Sequence, residues 1–224
     1  MRRITTKTYS LLTSLLTLLA ALPAQATTKG LNQIVTPDIQ PLGFLSLSVQ
    51  KQDPTIANAT ELQLEIGLTK NFEIAAFQGV VPGVQILNAE YGIIQKSPYL
   101  LSVGFNNWST RGTSPQPYIE GGYYNKAVEL MAGVVRVSVE QQSVGGAVRS
   151  HNETQAVLGA AYRINPRTLL QLDYQSGKGN FATVGFTYNL TPQLQFNPSF
   201  YLSNATPRKG FGYAVLTWNV QVFK

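Results

Sequence analysis

From about residue 42 to the end of the chain, apolar and polar positions alternate with a period of two. Leu45, Leu47 and Val49 share one face, and Ser46, Ser48 and Gln50 share the other. Leu62, Leu64, Ile66 and Leu68 stand against Glu61, Gln63, Glu65 and Gly67, while Phe72, Ile74 and Ala76 stand against Glu73, Ala75 and Phe77. The pattern recurs through Leu87–Ile93, with Asn88, Glu90 and Gly92 on the second face, and through Tyr99–Asn106. In Tyr118–Tyr124, Glu120 and Gly122 are assigned to the polar face. Over Val128–Glu140 the reading sets Met131, Val135, Val137 and Val139 on the apolar face against Ala132, Arg136, Ser138 and Glu140. The next segments place Gln155, Gly159 and Arg163, then Gln171, Asp173 and Gln175, then Thr183, Gly185, Thr187 and Asn189 on the polar face. The last two strands run through Leu194–Leu202 and Tyr213–Val222. Such alternation is the signature of strands with unlike surroundings on their two faces.

Connections alternate as well. Thr69-Lys70-Asn71, Lys96-Ser97-Pro98, Asn125-Lys126-Ala127, Asn165-Pro166-Arg167 and Leu190-Thr191-Pro192 read as tight turns, whereas 51–60, 107–117 and 141–153 read as longer polar loops. Strands of about 9 to 11 residues joined alternately by short and long connections fit an antiparallel up-and-down transmembrane β-barrel. About twelve strands are counted, an even number that leaves both termini on the side of the short turns. The competing fold is a soluble secreted β-sandwich or lipocalin-like binder, which would bury the apolar face. Pro198 lies inside the eleventh strand, where proline cannot donate to a ladder, so a bulge is expected there.

The mean hydropathy of −0.02 fits such a barrel, because lipid-facing and lumen-facing residues offset one another. Residues 1–26 stand apart. Arg2, Arg3 and Lys7 precede the apolar run Leu11–Leu22, and Ala24-Gln25-Ala26 offers a small-x-small cleavage site, the plan of a signal peptide. Residues 27–41 carry Pro37 and Pro41 without any period and read as a short N-terminal tail, too small to form a plug domain. The barrel then occupies 42–224. Loss of residues 1–26 takes Lys+Arg from 17 to 14 against 11 Asp+Glu, and the remaining cations are scattered. That distribution does not fit nucleic-acid binding. The absence of Cys excludes both a disulfide framework and thiol chemistry.

In its alternating strands, turn asymmetry and final segment Trp218-Asn219-Val220-Gln221-Val222-Phe223-Lys224, the chain resembles the bacterial outer-membrane β-barrel proteins. Members of that class usually end in an amphipathic strand with a final Phe or Trp; here Phe223 is penultimate. The resemblance implies a location in the cell outer membrane, contact with outer-membrane lipid and lipopolysaccharide, and recognition by the barrel-assembly machinery. Trp218, Val220 and Val222 are expected to face lipid and to close the barrel on the first strand. A charge at Val220 is expected to be costly, and one at Asn219, which points inward, to be tolerated.

Chemistry on this scaffold is sparse. The single His, His151, falls in the polar stretch Ser150–Glu153 read as loop, without a Ser motif to complete a catalytic pair. One His and no Cys give no metal site, and no cofactor is expected. The constellation with functional content is the set of charges assigned to the lumen: Glu65, Glu73, Glu90, Glu120 and Asp173, opposed by Arg136 and Arg163. Charge is costly on a lipid face, which favours inward positions. Twelve strands fall between eight, which side chains fill, and sixteen, which leave an aqueous channel. The reading is therefore a porin-like, non-enzymatic channel for passive diffusion of small polar solutes. The alternative is a structural or adhesive barrel with a filled lumen.

Overall fold

The computed structural model describes residues 30–80, 85–109, 114–142 and 148–224. The signal peptide expected over 1–26, and the first residues of the tail, lie outside the described residues. Twelve strands follow one another: β1 (Phe44–Gln52), β2 (Thr60–Gly67), β3 (Phe72–Gly79), β4 (Gln85–Lys96), β5 (Tyr99–Trp108), β6 (Gln116–Tyr124), β7 (Val128–Gln142), β8 (Val148–Asn165), β9 (Thr168–Gln175), β10 (Phe181–Asn189), β11 (Leu194–Ser203) and β12 (Gly210–Gln221). Each pairs antiparallel with its neighbour in sequence. β12 returns to β1 through a ladder from Phe44↔Gln221 to Gln52↔Tyr213. The sheet is a closed up-and-down barrel, so the sandwich alternative falls; the lipocalin-like one, a barrel with its apolar face inside, falls on the direction of the side chains. Apolar side chains turn outward instead: Leu62, Val184, Leu172 and Phe200 are exposed on the outer face, and Glu120, Gln171 and Asn219 are buried on the inner one. An outer apolar belt around a polar interior suits lipid outside and closes every backbone hydrogen bond within the sheet.

Three irregularities interrupt the ladders. Register shifts fall in β4 between Leu87 and Ala89 and between Gly92 and Ile94, and in β8 between Arg163 and Asn165. Beyond the Gly92/Ile94 shift both Ile93 and Ile94 are exposed, and Gln95 turns into the lumen. A bulge inverts which face later residues occupy. At Pro198 no bulge occurs. β11 keeps its register against β10 on either side, and the ladder simply lapses opposite Phe186 and Thr187. A missing donor is thus absorbed by the loss of local pairing without an inserted residue.

β7 and β8 form the longest hairpin, 15 and 18 residues. Of the stretch 141–153, expected as a loop, the described residues 141–142 and 148–153 are strand: Ser150 pairs with Glu140 and His151 with Val139. The polar run there lacks an apolar face, so hydrophobic periodicity gave no strand signal. Its ladder is carried by backbone pairing.

β12 is the seam. Trp218 and Val222 are exposed on the outer face, and Val220 pairs with Leu45 on the same side. Val220 lies one step from the end of β12, however, and Leu216 lies near its centre. Leu216→Arg is expected to destabilise the barrel by about 2–4 kcal/mol and Val220→Arg by no more than about 1 kcal/mol, in line with the depth dependence of charge on a lipid face. Urea unfolding in phosphatidylcholine vesicles checks this, and equal losses at the two positions would contradict the placement.

Candidate solute pathway and its plug

Backbone polar groups placed inside a barrel need partners, and the N-terminal segment finds them across the lumen. Residues 30–40, part of the stretch 27–41 expected as a short tail too small to form a plug domain, run inside the barrel. Leu31, Asn32, Ile34, Thr36, Ile39 and Gln40 are all buried. The Asn32 and Gln33 amides donate to Asp173 Oδ2 at 2.6 and 3.0 Å, and Thr183 Oγ1 donates to Asp173 Oδ1 at 2.7 Å. Tyr201 donates its hydroxyl proton to the Asn32 carbonyl. Gln95, turned inward by the β4 bulge, donates to the Pro37 carbonyl at 2.7 Å and accepts from the Ile39 amide at 3.2 Å. The Gln40 amide donates to Glu73 Oε2 at 2.5 Å, and its side chain donates to Ser46 Oγ at 2.7 Å. Leu31 and Ile34 pack with Tyr118, Met131, Val135, Val157 and Ala161 in an apolar cluster inside the lumen.

Inward glycines make the room. A Cβ on Gly67 would strike the carbonyls of Gln40 and Pro41, one on Gly122 would lie 2.9 Å from Pro37 Cγ, one on Gly159 would lie 2.6 Å from Leu31 Cδ1, and one on Gly185 would strike Asn32 Oδ1. Glycines on β2, β6, β8 and β10 thus trace the course of the segment. It turns at Leu31–Ile34, where the Leu31 amide donates to the Ile34 carbonyl at 3.0 Å. At its other end Gly43, with φ of +74°, swings the chain into β1. A Cβ there would collide with the Phe223 carbonyl.

The sequence-assigned charges fall as follows. Glu73, Glu90, Glu120 and Asp173 are buried on the inner face, and Glu65 lies on that face half-buried. Glu73 and Glu90 are directly opposite across β3 and β4. Arg163 points inward near the short turns, 3.7 Å from Glu129. Arg136 does not join them. Its neighbour Val135 is buried in the lumen cluster, whereas Arg136 is exposed on the outer face. The face assignment of β7 is therefore inverted. Val128–Val135 offers apolar residues on both faces, so alternation could not orient it, and the inner apolar set is there to receive Leu31 and Ile34. Asn219 was expected to tolerate a charge. It is buried, accepting from Ser46 Oγ at 2.5 Å, and leaves no room for one.

Sequence reasoning missed Gln95 and the course of the segment itself. Gln171 lies on the face assigned to it and belongs with Asn197 and Thr187 to a buried network: Asn197 Nδ2 donates to Gln171 Oε1 at 2.5 Å and to Thr187 Oγ1 at 3.0 Å. The available signal was the row of inward glycines, which the alternation already placed on the lumen face. His151 is exposed on β8, and among the described residues no group of His, Cys, Asp and Glu is arranged to hold a metal.

Space remains on both sides of the segment. A cavity of about 380 Å³ opens among the long loops, with Gln52, Glu61, Asn106, Tyr118, Asn180 and Tyr213 in its wall. Another of about 820 Å³ lies among the short turns, with Asp38, Ser97, Lys126, Glu129, Arg163 and Asn189. Both touch Gly30 and Leu31.

A polar lumen inside an outward-apolar closed sheet has the architecture of the bacterial outer-membrane β-barrels, and solved structures agree. The NanC porin superposes with a TM-score of 0.56 at 13% identity, covering 80% of this chain and 99% of that one. The KdgM porin superposes with a TM-score of 0.54 at 11% identity, covering 78% and 98%. No protein-family model matches the chain, and no curated protein sequence does. At these identities the likeness concerns the fold.

Asp173→Ala removes the acceptor shared by two amides of the plug. A hydrogen bond contributes a net of about 0.5–1.5 kcal/mol, so loss of the two is expected to accelerate exchange of the Asn32 and Gln33 amides about ten- to a hundredfold while strand amides keep their protection. Hydrogen-exchange measurements on the detergent-solubilised protein test this. Unchanged exchange would mean that the apolar cluster alone holds the segment.

Proposed function

We propose that the protein is a non-enzymatic outer-membrane channel for passive diffusion of small polar solutes, with its N-terminal segment as the plug. The observation that carries the reading is the plug's seat. A segment laid along inward glycines, with polar cavities on either side, blocks a passage that the barrel wall itself leaves open. The outward apolar belt supports membrane insertion, and the two similar structures that carry the word porin in their names support the channel class. An enzyme of this shape would need a nucleophile and base held together, and the single His stands apart on the outer hairpin.

With Arg136 outside, the inner face carries Glu61, Glu65, Glu73, Glu90, Glu120, Glu129 and Asp173 against Arg163. Rings of carboxylates favour cations. The open channel is therefore read as cation-preferring, and Asp38 adds to the acidic balance at the short-turn cavity.

One observation favours a second reading, a permanently filled structural or adhesive barrel. Leu31 and Ile34 are seated in a buried apolar cluster, which resists withdrawal into water. Planar-bilayer recording decides between them. Full-length protein is expected to conduct rarely. Deletion of residues 30–40, or Gly159→Leu, which fills the seat of Leu31, is expected to raise the open conductance at least fivefold with a reversal potential on the cation side. Glu120→Gln in the deleted background should move that potential toward anions. If folded, heat-modifiable protein lacking the segment stays silent, the filled-barrel reading replaces the channel.

A further inference from the structure

Four successive short turns each carry one basic residue: Lys70 at the β2–β3 turn, Lys96 at β4–β5, Lys126 at β6–β7 and Arg167 at β8–β9. Lys224, just past the end of β12, adds a fifth where the seam reaches the same mouth. All five are exposed. The same level carries no acid: 66–72, 94–99, 123–128, 161–170, 188–195 and 220–224 hold neither Asp nor Glu. Asp38 and Glu129 line the cavity inside the mouth instead, which Lys126 and Arg167 border from the rim, and Glu129 meets Arg163 there. On the outer face Tyr99, Tyr123, Tyr162 and Tyr188 are exposed, each at or near the strand end beside its short turn. Tyr99 and Tyr123 meet edge to face, with ring centroids 5.7 Å apart.

We propose that this short-turn rim is a docking surface for the headgroups of anionic phospholipids in the leaflet it crosses. The tyrosines fix the depth. Their rings favour the boundary between hydrocarbon and headgroups, so the adjoining turns lie among headgroups and not in bulk water. Spacing fixes the kind of anion. Successive turns are two strands apart, which at a strand separation of about 4.8 Å and a tilt of about 40° is about 12 Å along the rim. That is too wide for two cations to clasp one phosphate, and it exceeds the screening length of about 8 Å at physiological salt, so each takes a separate anion. A row of separate anions at one depth is what a leaflet supplies and a single soluble solute does not. Lys and Arg can lay their stems on the apolar belt while the charged end reaches the phosphate. The lack of Asp and Glu completes the match, since a carboxylate at that level would repel the same headgroups. The inference rests on membrane insertion and is independent of whether the lumen conducts.

Quenching of tryptophan fluorescence by brominated lipids tests this, because the two Trp of the chain lie toward opposite ends of the belt. Trp218 is opposite Leu194, the first residue after the β10–β11 turn, and Trp108 ends β5 among the long loops. Trp108→Phe and Trp218→Phe give two single-Trp proteins. Each is refolded into mixed phosphatidylcholine–phosphatidylglycerol vesicles with bromine on one lipid or on the other. Trp218 is expected to favour phosphatidylglycerol about fivefold, as one cation near an anionic surface allows, and to lose the preference at high salt. Lys70→Gln, Lys96→Gln, Lys126→Gln, Arg167→Gln and Lys224→Gln together should abolish the preference at Trp218 and leave quenching at Trp108 unchanged, in protein that keeps its heat-modifiable gel shift. Equal quenching of Trp218 by the two lipids, or a preference that survives the five changes, would overturn the assignment. Quenching by neither lipid would overturn membrane insertion itself, and the docking surface with it.

Discussion

Everything in this molecule depends on the ladder that joins β12 to β1. A sheet in lipid cannot leave a row of unpaired N–H and C=O groups at an edge, since each would cost several kcal/mol. The pairing from Phe44↔Gln221 to Gln52↔Tyr213 removes both edges at once. Closure then divides the side chains into two populations that never mix, one for lipid and one for the interior. The interior is too wide for strand side chains alone to fill and too narrow to hold a separate domain. A single extended segment fits, and it enters beside the seam, where the Gly43 amide bonds the Gly67 carbonyl and the Val222 amide bonds the Gly43 carbonyl.

The plug is bound by two kinds of force in different places. Around Asn32, Gln33 and Gln40 it is held by hydrogen bonds from backbone amides to the carboxyl groups of Asp173 and Glu73, which are directional and fix the height of the segment. Around Leu31 and Ile34 it is held by area removed from water against Met131, Val135 and Val157, which is non-directional and supplies strength. The division explains why β7 carries valines on its inner face, an arrangement that would make no sense in an empty aqueous pore.

Most of the barrel was legible in the sequence because lipid outside and polar contacts inside impose opposite demands on successive residues. Leu62 and Gln63, or Val184 and Gly185, could not exchange faces. Legibility failed wherever that opposition weakened. On β7 both faces are apolar, so Met131 and Arg136 were assigned to the wrong sides. On the outer part of the β7–β8 hairpin the sequence is polar throughout, so Ser150–Glu153 read as loop. In β4 a bulge inverted Gln95. The segment 30–41 has no period because its partners lie on strands far away in sequence, up to 169 residues apart for Tyr201 and Asn32. Its trace was nevertheless written in the inward glycines Gly67, Gly122, Gly159 and Gly185, whose common purpose appears only once the barrel is closed.

The reversal at Leu31–Ile34 closes on itself through two local bonds, from the Leu31 amide to the Ile34 carbonyl at 3.0 Å and from the Gly30 amide to Thr36 Oγ1 at 3.2 Å. Its bonds to the wall, at Asp173, Thr183 and Tyr201, are all made to side chains and use no rung of the strand ladders. The bend and the closed sheet are therefore held by separate sets of bonds, and loss of one leaves the other intact.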